Sequence, residues 1–159
     1  MSSIMVINAK GGSGKTTIST NLASYYANSG FKVTLVDLDP QGSASKWLSS
    51  RPITKAKIRG VTSLPPQKVS KKEDEITIFD VPAAIYGARL QTYIKKARKI
   101  IVPVLPSPID MSAAKDFLNS LRNLGSVIIN RTDICLVANR CRANTNIFEE
   151  LDDYLVKEK

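Results

Sequence analysis

The sequence predicts an α/β chain, a mostly parallel sheet with helices on both faces. Short runs rich in apolar and β-branched residues recur at Ser3–Asn8, Lys32–Asp37, Glu75–Asp80 and Ile100–Leu105. Stretches with apolar residues at helical spacing alternate with them, the pattern of a layered α/β fold. Two of the runs end in acids, Asp37 and Asp80. Carboxyl ends of strands are where open parallel sheets gather ligands. The 159 residues are read as one domain, 1–159, with an ordinary 43% hydrophobic content and enough length to bury roughly two thirds of the unfolded surface.

The first strand, Ser3–Asn8, runs into Ala9-Lys10-Gly11-Gly12-Ser13-Gly14-Lys15-Thr16-Thr17. Glycines let successive backbone N–H groups converge on one anion without Cβ clashes. The following helix contributes the positive end of its dipole, and Lys15 adds a full charge. Thr16 is placed to put a hydroxyl on a Mg²⁺ ion bridging terminal phosphates. Ala9 stands where the plain phosphate-loop pattern has its first glycine, and a second lysine, Lys10, opens the loop. Lys10 sits too far back to share the role of Lys15; it points to solvent or reaches another molecule's phosphates. Ile18, Leu22, Tyr25 and Tyr26 predict a helix over Thr16–Asn28, stopped by Ser29-Gly30.

Lys10-Gly-Gly-Ser-Gly-Lys-Thr16 resembles the deviant Walker motif of the ParA/MinD ATPases, P-loop proteins that position plasmids, chromosomes and other cargo in bacteria. The resemblance runs from residue 3 to about residue 150. It implies ATP and Mg²⁺ as cofactors, held by Lys10, Gly11, Gly12, Ser13, Gly14, Lys15, Thr16 and Thr17. It also implies a homodimer closing around two ATP molecules, with Lys10 of each copy reaching the other's phosphates.

The second strand leads into Asp37-Leu38-Asp39-Pro40-Gln41-Gly42. Two acids there can act on Mg²⁺ or on an attacking water. The resemblance makes this the first switch, with Asp39 polarising the water and Asp37 supporting the metal site. Ser43–Ser50 predicts a short helix carrying Trp47 and Leu48, and Lys57–Thr62 a short strand. Between Arg51 and Lys72 lie Arg51, Lys55, Lys57, Arg59, Lys68, Lys71 and Lys72 without an acid, and Pro65-Pro66 breaks any helix. Such a cluster suits DNA phosphates or a solvated loop equally.

The strand Glu75–Asp80 fits a Walker B segment, and the resemblance gives Asp80 the role of holding Mg²⁺ through a water. In the family a glycine soon after senses the γ-phosphate; here Ala84 falls roughly at that place. A backbone N–H survives the exchange, but a positive φ would cost more, so turnover is expected to be slow. Leu90, Tyr93, Ile94 and Ala97 predict a helix ending in Lys95, Lys96, Arg98 and Lys99, cations that complement its dipole. After the strand Ile100–Leu105, Pro106–Asp110 turns the chain toward the site. Ala114, Phe117, Leu118, Leu121 and Leu124 mark the next helix, closed by Gly125.

Val127–Asn130 and Ile134–Asn139 flank a turn, the second being the better strand. Its end, Asn139-Arg140, matches the family's Asn-Arg pair, in which the asparagine reads the adenine edge; an amide can donate and accept there at once. A final helix, capped by Asn144 or Thr145, carries Ile147, Phe148, Leu151, Tyr154 and Leu155. The resemblance implies a further C-terminal strand and helices past Lys159; a chain shortened by truncation, compact divergence or gene decay is expected to lack them, with the strand near residue 135 at a sheet edge.

A formal charge of +9 favours nucleic acid or an anionic surface. The chain has no histidine, which excludes imidazole catalysis and most zinc chemistry. Cys135 and Cys141 match no common ligand or redox spacing, and Cys135 is expected as a small core residue. No run of about 18 apolar residues spans a membrane, and no export segment opens the chain. The expected protein is therefore cytoplasmic and nucleoid-associated, with no membrane partner. It is expected to be a slow Mg²⁺-dependent ATPase that dimerises with ATP, binds non-specific DNA and answers to a stimulating adaptor protein. A hydrolysis-poor nucleotide switch or remnant, and a P-loop small-molecule kinase or ligase, are the competing readings.

Overall fold

The computed structural model describes residues 2–64, 74–124 and 131–158. In chain order the elements are β1 (Ser2–Val6), α1 (Lys15–Asn28), β2 (Lys32–Asp37), α2 (Ser43–Ser49), β3 (Ile58–Val61), β4 (Glu75–Asp80), α3 (Gly87–Ile94), β5 (Lys99–Val104), α4 (Pro108–Arg122), β6 (Asp133–Ala138) and α5 (Asn146–Lys157). The strands form one sheet in the order β3-β2-β4-β1-β5-β6, and every described pairing is parallel.

Alternation of side chains along the strands splits the core into two layers. Ile4, Val33, Leu35, Ile76 and Ile78 face Ala23 and Ala27 of α1 and Ala44 of α2. Met5, Val36, Phe79 and Val102 face the opposite way, onto Leu90 of α3, Phe117 of α4 and Leu151 of α5. Because the strands run parallel, their carboxyl ends share one rim. Asp37 lies in register with Asp80, and Asp80 with Val6, the last residue of β1.

Several expectations are corrected at element ends. α3 stops at Ile94, so Arg98 and Lys99 do not extend it. Ala97 is buried in the turn that follows, and the Arg98 N–H donates to the Ser3 carbonyl. Pro108 is not part of a turn but opens α4, where its missing N–H costs nothing. Cys135 is exposed rather than buried. It lies on β6 at the sheet's edge, while its neighbours Ile134 and Leu136 turn to the packed face. Gly125, the run Val127–Asn130, Pro65-Pro66, Lys68, Lys71 and Lys72 lie outside the described residues. Among the described residues no helix is long and apolar enough to cross a membrane.

Candidate phosphate-binding site

The loop between β1 and α1 is shaped by two left-handed glycines, Gly12 at φ 76° and Gly14 at φ 88°. A Cβ on Gly14 would collide with the Asn139 amide, so that position requires glycine twice over. Asn8, the first polar residue past β1, braces the loop from below. Its side chain donates to the Pro103 carbonyl at 2.6 Å and accepts from the Lys10 N–H at 3.0 Å. Asn139, at the end of β6, donates to the Ser13 carbonyl at 2.8 Å. The loop is thus held by the rims of β5 and β6.

Lys15 is buried and its ammonium donates to the Lys10 carbonyl at 3.0 Å, curling across the loop as a phosphate-facing lysine would. Burial pulls its pKa below the ordinary lysine range, while the charges of Asp80 and Asp39 push it back up. Asp80 is 1% exposed. Ser19 donates to its Oδ1 at 3.2 Å, and the Thr16 side chain lies near enough to the same carboxylate to favour its charged form. Burial raises the Asp80 pKa from 3.8 to about 6; the Thr16 and Ser19 hydroxyls oppose this, and the nearby Asp37 and Asp39 charges add to it. Its other oxygen, Oδ2, is buried with no hydrogen-bond partner among the described residues.

Asp37 is fully engaged, accepting from the Ser45 N–H and hydroxyl at 2.8 Å each and from the Asp39 N–H at 3.2 Å. It anchors the start of α2. Asp39 is half-buried and accepts from the Gln41 N–H at 2.9 Å. Among the described residues there is no cluster of three or more acidic, cysteine or histidine side chains arranged for a metal. The donors that are present, the unpartnered Oδ2 of Asp80 and the nearby Thr16 hydroxyl, suit Mg²⁺, which keeps most of its waters and takes one or two protein oxygens plus phosphate. Thr17 lies beside Ile18, Asn21, Leu22, Tyr25 and Asn139 on an open cleft of about 510 Å³.

The comparisons with known proteins agree with this geometry. The CobQ/CobB/MinD/ParA nucleotide binding domain model matches residues 4–156. The chain belongs to that family. The carboxysome distribution protein A of Gloeobacter kilaueensis is 34% identical over 112 residues, covering 69% of this chain and 51% of the relative. The chain therefore spans about half the length of that relative. A ParA from pNOB8, solved bound to non-specific DNA, superposes with a TM-score of 0.75 at 16% identity, over 99% of this chain and 74% of the other. MinD from Pyrococcus horikoshii, complexed with Mg-ADP, gives a TM-score of 0.70 at 19% identity, over 97% and 77%.

Within this ParA/MinD-type domain, two contacts are ones that sequence reasoning missed. Lys10 forms an ion pair with Asp110 at 2.7 Å. Asp110 belongs to the first turn of α4 and is 5% exposed, and its Oδ1 has no partner among the described residues. The Pro106–Asp110 run pointed to the site in sequence, but nothing in the sequence coupled residues 10 and 110. The second contact involves Ala84, which adopts φ 57°. Its N–H donates to the Ala9 carbonyl at 3.0 Å. The positive φ that sequence reasoning flagged as costly is thus adopted, and the N–H holds the loop.

Proposed function

We propose that this chain binds and slowly hydrolyses ATP with Mg²⁺, dimerises around the nucleotide, and couples that cycle to non-specific DNA in positioning DNA or other cargo. The observation that carries the reading is the convergence of Lys15, Thr16 and Asp80 on the mouth of the glycine loop, with one Asp80 oxygen left unpartnered. A buried carboxylate oxygen without a donor is expensive unless a cation's shell supplies the missing contact. Thr16 and Asp80 are the residues suited to hold Mg²⁺, with Asp37 fixing the neighbouring segment. When bound, Mg²⁺ neutralises charge on the terminal phosphates.

The remaining work falls to the chain itself. The N–H groups of residues 11–17 and the Lys15 ammonium bind phosphate oxygens. Asp39, on a turn able to move, orients an attacking water and accepts its proton. Asn139 faces the base side of the site and gives up its Ser13 contact if it is to read adenine. Lys10 leaves Asp110 and reaches the partner copy's phosphates, stabilising charge as an arginine finger does. The related ParA bound to DNA and the net charge of +9 support DNA as the surface the dimer works on. An adaptor protein would speed its release.

Gel filtration with ATP separates the roles of the two lysines. Lys10→Ala is expected to lose the ATP-dependent dimer and keep monomeric nucleotide binding, whereas Lys15→Ala loses both. Equal loss of nucleotide binding in both variants would overturn the intermolecular role. Ala84 favours a second reading, a switch that binds nucleotide and hydrolyses little, because its N–H is committed to the loop. Turnover that stays at background with DNA present would select it.

A further inference from the structure

Positive charge is unevenly distributed along the chain. Residues 43–73 contain eight lysines and arginines against one acid, whereas residues 74–159 contain twelve against eleven. The described part of the basic stretch folds onto one corner of the molecule, where α2 leads into β3. β3 is the outermost strand of the sheet on that side.

Arg51 fixes this corner. Its guanidinium bonds the Ala56 carbonyl at 3.2 and 3.3 Å and the Ser24 hydroxyl of α1 at 3.1 Å, and it stacks over Trp47 at 5.4 Å. The loop of residues 52–56 is closed by the Lys55 N–H on the Pro52 carbonyl. At its tip Ile53 is 100% exposed. Lys46, Lys55, Lys57 and Arg59 are exposed around it. None of the four has an ion pair with a described residue, whereas Lys10, Lys32, Lys99 and Arg122 each have one. Buried Ile58 lies between Lys57 and Arg59 and turns to the α1–α2 layer, so the two cations share the other side of the edge. Two residues of strand separate them by roughly 7 Å, about two phosphate rises along one DNA strand.

We propose that the α2–β3 corner, through Lys55, Lys57 and Arg59 with Lys46 beside them and Ile53 at its tip, is the surface on which this chain grips the backbone of duplex DNA. The inference rests on the DNA-associated reading above and assigns it a location. Cations without an ion pair to any described residue have no such contact to give up when they meet phosphates, and counterion release supplies the affinity. A single isoleucine is too little for stable insertion into a lipid surface. At a minor groove, one apolar side chain suffices as a wedge or sugar contact.

The test is fluorescence anisotropy with a labelled 30-base-pair duplex of arbitrary sequence, with ATP and Mg²⁺, across a salt series. The triple variant Lys55→Gln/Lys57→Gln/Arg59→Gln is expected to bind about a hundredfold more weakly near 100 mM salt, with the slope of log affinity against log salt shallower by roughly 2.7. A control triple that removes equal charge, Lys95→Gln/Lys115→Gln/Lys157→Gln, is expected to change affinity far less. Ile53→Ser is expected to weaken binding a few-fold and leave the salt slope unchanged. Equal losses in both triples would overturn the proposal in favour of diffuse net charge, and so would an unchanged α2–β3 triple. Either result leaves DNA binding itself intact. Native protein that binds ATP but no duplex overturns the underlying reading as well. Flotation with phosphatidylserine vesicles, if abolished by the α2–β3 triple in a protein that ignores DNA, would replace nucleic acid with a membrane.

Discussion

Ala84 carries a backbone angle that its own side chain opposes. A left-handed conformation costs a residue with a Cβ about 1–2 kcal/mol, and the N–H to Ala9 bond is part of what holds it there. Ala84→Gly relieves the clash but frees the unfolded chain, so a net gain of about 0.5–1 kcal/mol is expected in denaturant melts of the nucleotide-free protein. An unchanged or lower midpoint would mean that the loop is not strained at this residue. Asp80 offers a second residue-scale check. Its folded pKa, raised to about 6 from 3.8, means that the folded state holds a proton the unfolded state has released. Stability therefore falls as pH rises from about 4 to about 6. The cost above that window is on the order of 2–3 kcal/mol. Asp80→Asn should abolish this portion of the pH slope and be the more stable protein at pH 7 without Mg²⁺. Parallel stability curves for the two proteins would show that Asp80 is not desolvated.

At the scale of elements, what could be read in sequence was what is local. β2 and β4 have the predicted bounds because their β-branched runs are buried on both faces, which leaves little freedom in register. The glycine loop was legible for the same kind of reason: Gly12, Gly14, Lys15 and Thr16 act within a few residues of one another. α3 was read too long because Ala97 keeps the apolar rhythm after the helix has ended; burial in a turn and burial on a helix look alike in one dimension. Cys135 was misread because an apolar run does not say which of its residues turn to the packed face; the edge position was expected, but Ile134 and Leu136 take that face. Arg51 was counted as one of a basic cluster, yet its neighbours are Trp47, Ser24 and Ala56. It holds the loop that presents the other cations. Its planar fork makes three directed hydrogen bonds and a stack, an arrangement a lysine could not reproduce.

At the scale of the whole molecule, the contact that ties the first turn of α4 to the glycine loop is also the one that the proposed dimerisation would undo. Asp110 approaches Lys10 at 2.7 Å from across 100 residues of sequence, which is why no local pattern announced it. The aspartate's side chain is 6% exposed and the lysine's 38%. Water therefore screens one end of the pair, and its worth belongs at the low end of the roughly 1.5–3 kcal/mol of a charge-assisted hydrogen bond. If Lys10 serves the partner copy's phosphates, each subunit must give up that contact before the dimer closes, and the free monomer is stabilised by the same amount. Asp110→Asn keeps the side chain's shape and an acceptor oxygen while removing the charge that holds the ammonium. ATP affinity of the monomer should stay within about twofold, because Lys15 and the loop N–H groups are untouched. The ATP-bound dimer should tighten by about tenfold for each released lysine, measured by sedimentation equilibrium over a range of protein concentrations. A dimer that weakens instead would mean that Asp110 aims Lys10 toward the neighbouring subunit rather than restraining it. The ion pair would then be part of the assembled site, not a lock on the free monomer.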